Sequence, residues 1–183
     1  MLGAVVEKAS GESYFDYVRT HIFEPAGMLD TESYELTQVV PNLAVGYARF
    51  DDDPLGIEPR RSNIAFLPWK GSPAGGGYST APDLLRFARA LRGYELLDAE
   101  LTEATTSRKV DFGGSAGYGY GFSVKDLSGR EIRGHSGGGI NSGINSDLEI
   151  FWDGSNTVIV LGNYDAPVAQ DLAQAICVFL SGQ

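Results

Sequence analysis

Apolar residues recur at helical spacing over the first part of the chain and at a period of two over the last part. In "MLGAVVEKASG", Leu2, Val5, Val6 and Ala9 share one helical face, and the pattern predicts a helix ending at Gly11, where glycine takes the left-handed cap. "SYFDYVRTHIF" predicts a second helix: Ser13 with Asp16 three residues on resembles a capping box, and Pro25 and Gly27 stop the run. A third helix follows Gly75, Gly76 and Gly77. Thr80 caps it, Pro82 lies in its first turn, Leu84, Leu85, Phe87, Ala88 and Leu91 form its apolar stripe, and Gly93 ends it. A further short helix is expected after Asp98. "VVPNLAVGYARF" is a candidate for a short strand, and "DDDPLGIEPRRSN" reads as a charged, proline-bearing surface loop.

From residue 117 the alternation predicts about four strands, "GYGYGFSVKD", "REIRGHSG", "SDLEIFWD" and "TVIVLGNYD". Asp126 to Gly129 and Asp153 to Asn156 carry turn signals, and links this short favour antiparallel neighbours. Pro167 begins a last helix, "VAQDLAQAICVFL", whose Val168, Leu172, Ala175, Ile176 and Phe179 are expected on the sheet. The fold class is α+β: an N-terminal mainly helical region and an antiparallel sheet covered by a C-terminal helix. Residues 1–110 read as mainly helices and loops, and 111–183 as the sheet with its helix.

Composition narrows the partners. Fourteen Lys+Arg against 24 Asp+Glu give a formal charge of -10; such a surface repels phosphate backbones and anionic membranes, which argues against nucleic acid. No apolar run approaches the ~20 residues of a membrane span. The single cysteine, Cys177, allows no intrachain disulfide and reads as a small buried hydrophobe. No cluster suggests a metal, and the three carboxylates Asp51, Asp52 and Asp53 read as solvated.

The candidate chemistry lies in Gly134-His135-Ser136-Gly137-Gly138, which matches G-x-S-x-G. A nucleophile elbow needs a helix after its serine, and the hydrolases that use it place their histidine later in the chain. Here "GGGINSGINSDLEIFW" follows, rich in glycine and leading to a strand. The only histidines are His21 and His135. His135 is adjacent to Ser136 on a predicted strand, so the two side chains point to opposite faces. His21, near a helix C-terminus, reads as structural.

Five stretches, in order, resemble the C-terminal part of the serine β-lactamase and penicillin-binding-protein-like hydrolases, on the class C and esterase side. They are "LGAVVEKASGESYFDYVRTHIFEPAGMLDT", "PAGGGYSTAPDLLRFARAL", "YGYGF", "GHSGGGINSGINSDLEIF" and "TVIVLGNYD", and together they run over nearly the whole chain. The resemblance implies that His135-Ser136-Gly137 occupies the family's third box, on the strand edging the substrate cleft. Gly138 N–H would then be one oxyanion donor, Gly137 and Gly139 would let substrate approach the backbone, and His135 and Ser136 would contact substrate. The family's other two boxes, S-x-x-K and Y-x-N, do not occur among the 183 residues.

The resemblance therefore implies the C-terminal portion of one β-lactamase-like domain, inactive alone, from a hydrolase acting through an acyl-enzyme on a small ester, amide or β-lactam without a cofactor. A missing N-terminal half or a second copy would be its protein partner, and any secretion signal would lie upstream. Two other readings stand beside this one: a non-catalytic relic or oligomerising module, and an α/β-hydrolase with Ser136 as nucleophile. Tyr118 and Tyr120 are candidates to reach substrate or simply to pack. Gly75 to Gly77 line a pocket or make tight turns. Trp69 and Trp152 carry no readable role.

Overall fold

Gly11 ends the first helix in the left-handed conformation, with φ 78°, and its N–H donates to Glu7 O. In the computed structural model, which describes residues 1–49 and 59–182, the chain forms two compact units: Met1–Pro41 with Phe66–Asp98, and Asn42–Ala65 with Ala99–Gln183. Asp51, Asp52 and Asp53 lie outside the described residues.

The first unit is helical. Helix α1 is Leu2–Ser10. Helix α2, Tyr14–Val18, is capped by Ser13, whose Oγ accepts from Asp16 N–H and donates to the Asp16 carboxylate. It runs on as a π-helical turn, Arg19–Phe23, and Gly27, at φ 71°, lies just beyond. Helix α3, Ala81–Arg92, is capped by Thr80 as its sequence predicts. Leu84 and Phe87 of α3 pack on a small core of Ala26, Met28 and Ala90. The fully buried Asp83 accepts from Asp30 N–H, the Thr31 hydroxyl and the Arg86 guanidinium, which satisfies its charge. Gly75 and Gly76 have φ of 141° and 90°, and Ser72 and Gly75 exchange backbone hydrogen bonds. The tight-turn reading of these glycines therefore holds. The outward side of α1 departs from its reading: Leu2 and Val5 are 80% and 57% exposed, and the buried residue is Gly3.

The second unit carries a short ribbon, β1 (Tyr47–Ala48) with β2 (Arg61–Ser62), so part of the predicted loop is paired backbone. Helix α4 is Ala99–Thr106. The antiparallel sheet then runs in sequence order, β3 (Val110–Gly113), β4 (Ala116–Tyr118), β5 (Ser123–Leu127), β6 (Arg130–Gly138), β7 (Asn145–Phe151) and β8 (Thr157–Gly162). It has six strands where the alternation predicts about four. "GYGYGFSVKD" is two strands because Gly119 to Phe122 form a turn, with Gly119 N–H donating to Phe122 O and Gly121 at φ 93°. Strand β3 escapes the pattern because all four of its residues are exposed, so no apolar side alternates.

Helix α5, Val168–Ser181, covers one side of the sheet. Ala173 and Cys177 pack with Ile132, Phe151 and Val158, flanked by Leu127, Val160, Ile176 and Leu180. The helix is rotated from its predicted orientation: Val168, Leu172 and Phe179 are 66%, 50% and 66% exposed, and Ala175 is also exposed. Ala169, Ala173 and Cys177 recur every fourth residue, and their small side chains bring the helix close to the strands. Burial pushes the Cys177 thiol up to about 11, as befits an unreactive core cysteine.

Candidate active site

The candidate residues sit where β6 ends. Its register with β7 pairs Ile132 with Phe151, Gly134 with Glu149, Ser136 with Asp147 and Gly138 with Asn145. Alternation puts Ser136 on the side that carries Ile132 and α5, and His135 on the side of Arg133. Both His135 and Ser136 are exposed.

Arg133 anchors the strand two residues before His135. Its guanidinium is 5% exposed and lies 2.8 Å from Glu103, 2.7 Å from Glu131 and 2.6 Å from Thr106 Oγ1. It stacks 4.0 Å above the Trp152 ring, whose Nε1–H donates to Glu103 at 2.8 Å. Burial works against ionisation of Glu103, but the bonds from Arg133 and Trp152 outweigh it and hold its carboxyl below the usual range.

Among the described residues the His135 ring makes two hydrogen bonds: Nδ1 lies 2.6 Å from Ser136 O, and Nε2 lies 2.9 Å from the Tyr118 hydroxyl. Tyr118 thus reaches the candidate site, whereas Tyr120 lies in the turn, 70% exposed. The His135 ring bonds the main chain of Ser136, not its hydroxyl. No helix follows, since β6 leads through a loop into β7. The elbow reading of Ser136 therefore lacks both of its structural requirements.

The glycines differ from one another. Gly138 has φ 120°, and a Cβ there would lie 2.2 Å from Ile144 O. Gly137 faces Ser146, whose Oγ would be 2.7 Å from a Cβ, and its carbonyl accepts from Gln170 Nε2 at 3.4 Å. Gly139 N–H is already used, donating to Ser142 Oγ at 3.0 Å.

The loop after Gly139 is pinned from outside. Asp165 accepts from Gly143 N–H and Arg49 N–H, each at 2.8 Å, and Asn63 donates to Ser142 O at 2.8 Å. Behind the strand end, the buried Asn145 side chain accepts from Ala169 N–H in the first turn of α5 and donates to Gln170. Arg133, Asn63, Asn145 and Asp165 are functional supports that their sequence neighbourhoods do not mark. Polar residues next to glycine turns are common, and nothing local marks these as buried.

On the α5 side, Glu149 is paired with Lys125, which also donates to Gln174. Asp147 beside it is 6% exposed. Burial first, and the Glu149 charge second, push its carboxyl up to about 6 against the pull of Lys125. Among the described residues no group of three or more histidine, cysteine or acidic side chains could hold a metal ion, and no helix is long and apolar enough to cross a membrane.

Comparison with known proteins gives this geometry a frame. The sequence model of the family described as Beta-lactamase matches residues 1–177. A protein of Bacillus subtilis (strain 168) described as penicillin-binding protein PbpX is 29% identical over 164 residues, covering 88% of this chain and 37% of its own length. The crystal structure of a penicillin-binding protein from Bacillus halodurans superposes with a TM-score of 0.86 at 27% identity, over 97% of this chain and 53% of that one. The D-amino acid amidase of Ochrobactrum anthropi SV3 shares the fold, with a TM-score of 0.73 at 21% identity over 99% of this chain and 56% of its own. The chain spans between 37% and 56% of the length of these relatives.

Proposed function

This chain belongs to the Beta-lactamase family, and we propose that it supplies the cleft-edge strand of a serine hydrolase that opens a small ester, amide or β-lactam through an acyl-enzyme. The observation that carries this reading is the end of β6. Exposed His135 and Ser136 are followed by Gly138, whose φ of 120° and contact with Ile144 O exclude a side chain. A strand edge of this kind pairs with an extended substrate, and a glycine backbone admits it closely.

In this scheme Gly138 N–H is one oxyanion donor. His135 and Ser136 offer polar contacts to substrate, and Gly137 and Gly139 line the approach. Gly139 contributes only its backbone surface, since its N–H is engaged by Ser142. The scheme uses neither metal nor organic cofactor. Neither S-x-x-K nor Y-x-N occurs in the 183 residues, so the attacking serine and its lysine come from outside them, and residues 1–183 alone do not turn over.

The test uses a nitrophenyl ester and a chromogenic cephalosporin. The natural gene product containing these residues is expected to hydrolyse one of them, with the acyl group trapped on a serine outside residues 1–183. An adduct on Ser136, or turnover by residues 1–183 that Ser136→Ala abolishes, would sink the proposal and revive the elbow.

One observation favours a second reading, a non-catalytic module that associates with its own copy. Val168, Leu172 and Phe179 form an exposed apolar side of α5. Under this reading residues 1–183 sediment as a dimer, and Leu172→Ser with Phe179→Ser converts it to monomer. A monomer before substitution removes it.

A further inference from the structure

We propose that Tyr118 is a positioning residue for His135, holding its imidazole as the Nδ1–H tautomer with Nε2 as the acceptor. The proposal rests on the reading of His135 as a cleft residue and adds the group that sets what its ring offers there.

The argument starts from the main chain. His135 Nδ1 lies 2.6 Å from Ser136 O. A carbonyl oxygen has no hydrogen to give, so Nδ1 carries the proton. In the neutral ring Nε2 then has only a lone pair. Among the described residues its hydrogen-bond partner is the Tyr118 hydroxyl at 2.9 Å, which must therefore be the donor.

Tyr118 of β4 meets His135 of β6 at the end of the sheet, across the intervening strand. Tyr118 pairs with Ser123, the first residue of β5, and Ser123 with Gly134. This row lies on the side of the sheet opposite to His135, so the contact is made past the start of β5, where His135 lies one residue beyond the row. The Ser123 hydroxyl is turned away to donate to Gly134 O at 2.9 Å. The Tyr118 ring meets the imidazole edge-on, with centroids 5.9 Å apart and planes at 71°, and Phe112 stacks on Tyr118 at 6.4 Å. The phenol thus arrives with an aromatic neighbour on either side.

The consequence is a choice of polarity. With its hydrogen committed to Nε2, the Tyr118 oxygen keeps its acceptor capacity. The neutral pair presents an acceptor to the cleft at Tyr118, where a lone imidazole in the other tautomer would present a donor at Nε2. A substrate group bearing an N–H or O–H is therefore favoured at this point over a bare carbonyl.

Long-range ¹H–¹⁵N spectra of the 183-residue chain at pH 9, where an ordinary imidazole is neutral, test this directly. His21→Gln separates the signals of the two histidines. The expected result is a single His135 form with a protonated Nδ1 and a bare Nε2, and growth of the Nε2–H form in Tyr118→Phe. A wild-type Nε2–H form, or a mixture of the two, overturns the proposal, as does a Tyr118→Phe spectrum that keeps the single form. Should Tyr118→Phe fail to fold, the wild-type spectrum still decides, because a single form with protonated Nδ1 and bare Nε2 is required by the proposal. No substrate is present, so this outcome is separate from that of the hydrolysis assay.

Discussion

Asp147 and Glu149 lie two residues apart on the same side of β7, both buried beneath α5, and Lys125 is bonded to Glu149. Among the described residues, Asp147 Oδ1 and Glu149 Oε2 have no hydrogen-bond partner. The pair is a local cost to the fold, and it makes stability depend on pH.

The Asp147 carboxyl is raised to about 6, burial being the larger cause. The folded state therefore binds this proton more tightly than the unfolded chain, whose Asp titrates near 3.9. Stability contributed here is full below about pH 4 and declines as pH rises to about 6, by up to about 3 kcal/mol at about 1.4 kcal/mol per unit. Asp147→Asn is expected to remove that decline. Urea unfolding of both chains at half-unit steps from pH 4 to pH 8 checks it; parallel curves for the two would contradict it.

Gly138 and Gly139 respond differently to a methyl group. At Gly138, φ of 120° and an Ile144 oxygen 2.2 Å from the new Cβ both oppose alanine, whereas at Gly139 the nearest atom is Ser142 Oγ at 3.7 Å. Gly138→Ala is expected to cost about 1–3 kcal/mol and, in the active hydrolase, about a hundredfold in kcat through a displaced oxyanion donor. Gly139→Ala should stay within about 0.5 kcal/mol of the parent. Thermal unfolding and steady-state kinetics of the two variants separate the effects.

How much of this was legible in the sequence depends on whether the signal was local. The caps of α2 and α3 and the end of α1 follow from Ser13, Thr80 and Gly11, each acting on backbone within a turn of itself. The orientation of α5 does not, because the helix has two apolar sides. Periodicity favours the larger residues, Leu172 and Phe179, while close packing on the sheet selects Ala169, Ala173 and Cys177. At the candidate site, Gly134 to Gly138 stood out by matching G-x-S-x-G, and the roles expected of His135 to Gly139 came from the family resemblance. Its supports were not legible as such: Tyr118 stood out only as a candidate to reach substrate or to pack, not as a partner of His135 17 residues away, and Asn63, 79 residues from Ser142, did not stand out. Such contacts are products of register and loop closure, which single residues do not announce.

Arg133 ties β6 to α4. Removing it leaves Glu103 and Glu131 without their cation, but these are 44% and 46% exposed and regain water. The expected cost of Arg133→Met is therefore the loss of charged hydrogen bonds, about 2 kcal/mol, and not the larger penalty of a stranded buried charge. The midpoint of urea unfolding measures it. Trp152 fluorescence should change as well, since the guanidinium stacked on the ring is gone.

Asn145 joins three elements through one buried side chain. It accepts from Ala169 N–H, one of the unpaired donors at the start of α5, and it donates to Gln170, whose own amide reaches Gly137 O. Helix α5 has no side-chain cap at Pro167, so Asn145 performs that task from β7. Asn145→Ala is expected to cost about 1–2 kcal/mol and to speed amide exchange at Ala169 ahead of the mid-helix amides of Ala173 and Cys177. Exchange that rises equally at all three would mean that Asn145 acts on global stability alone and does not fasten the start of α5 to the strand beside Gly138.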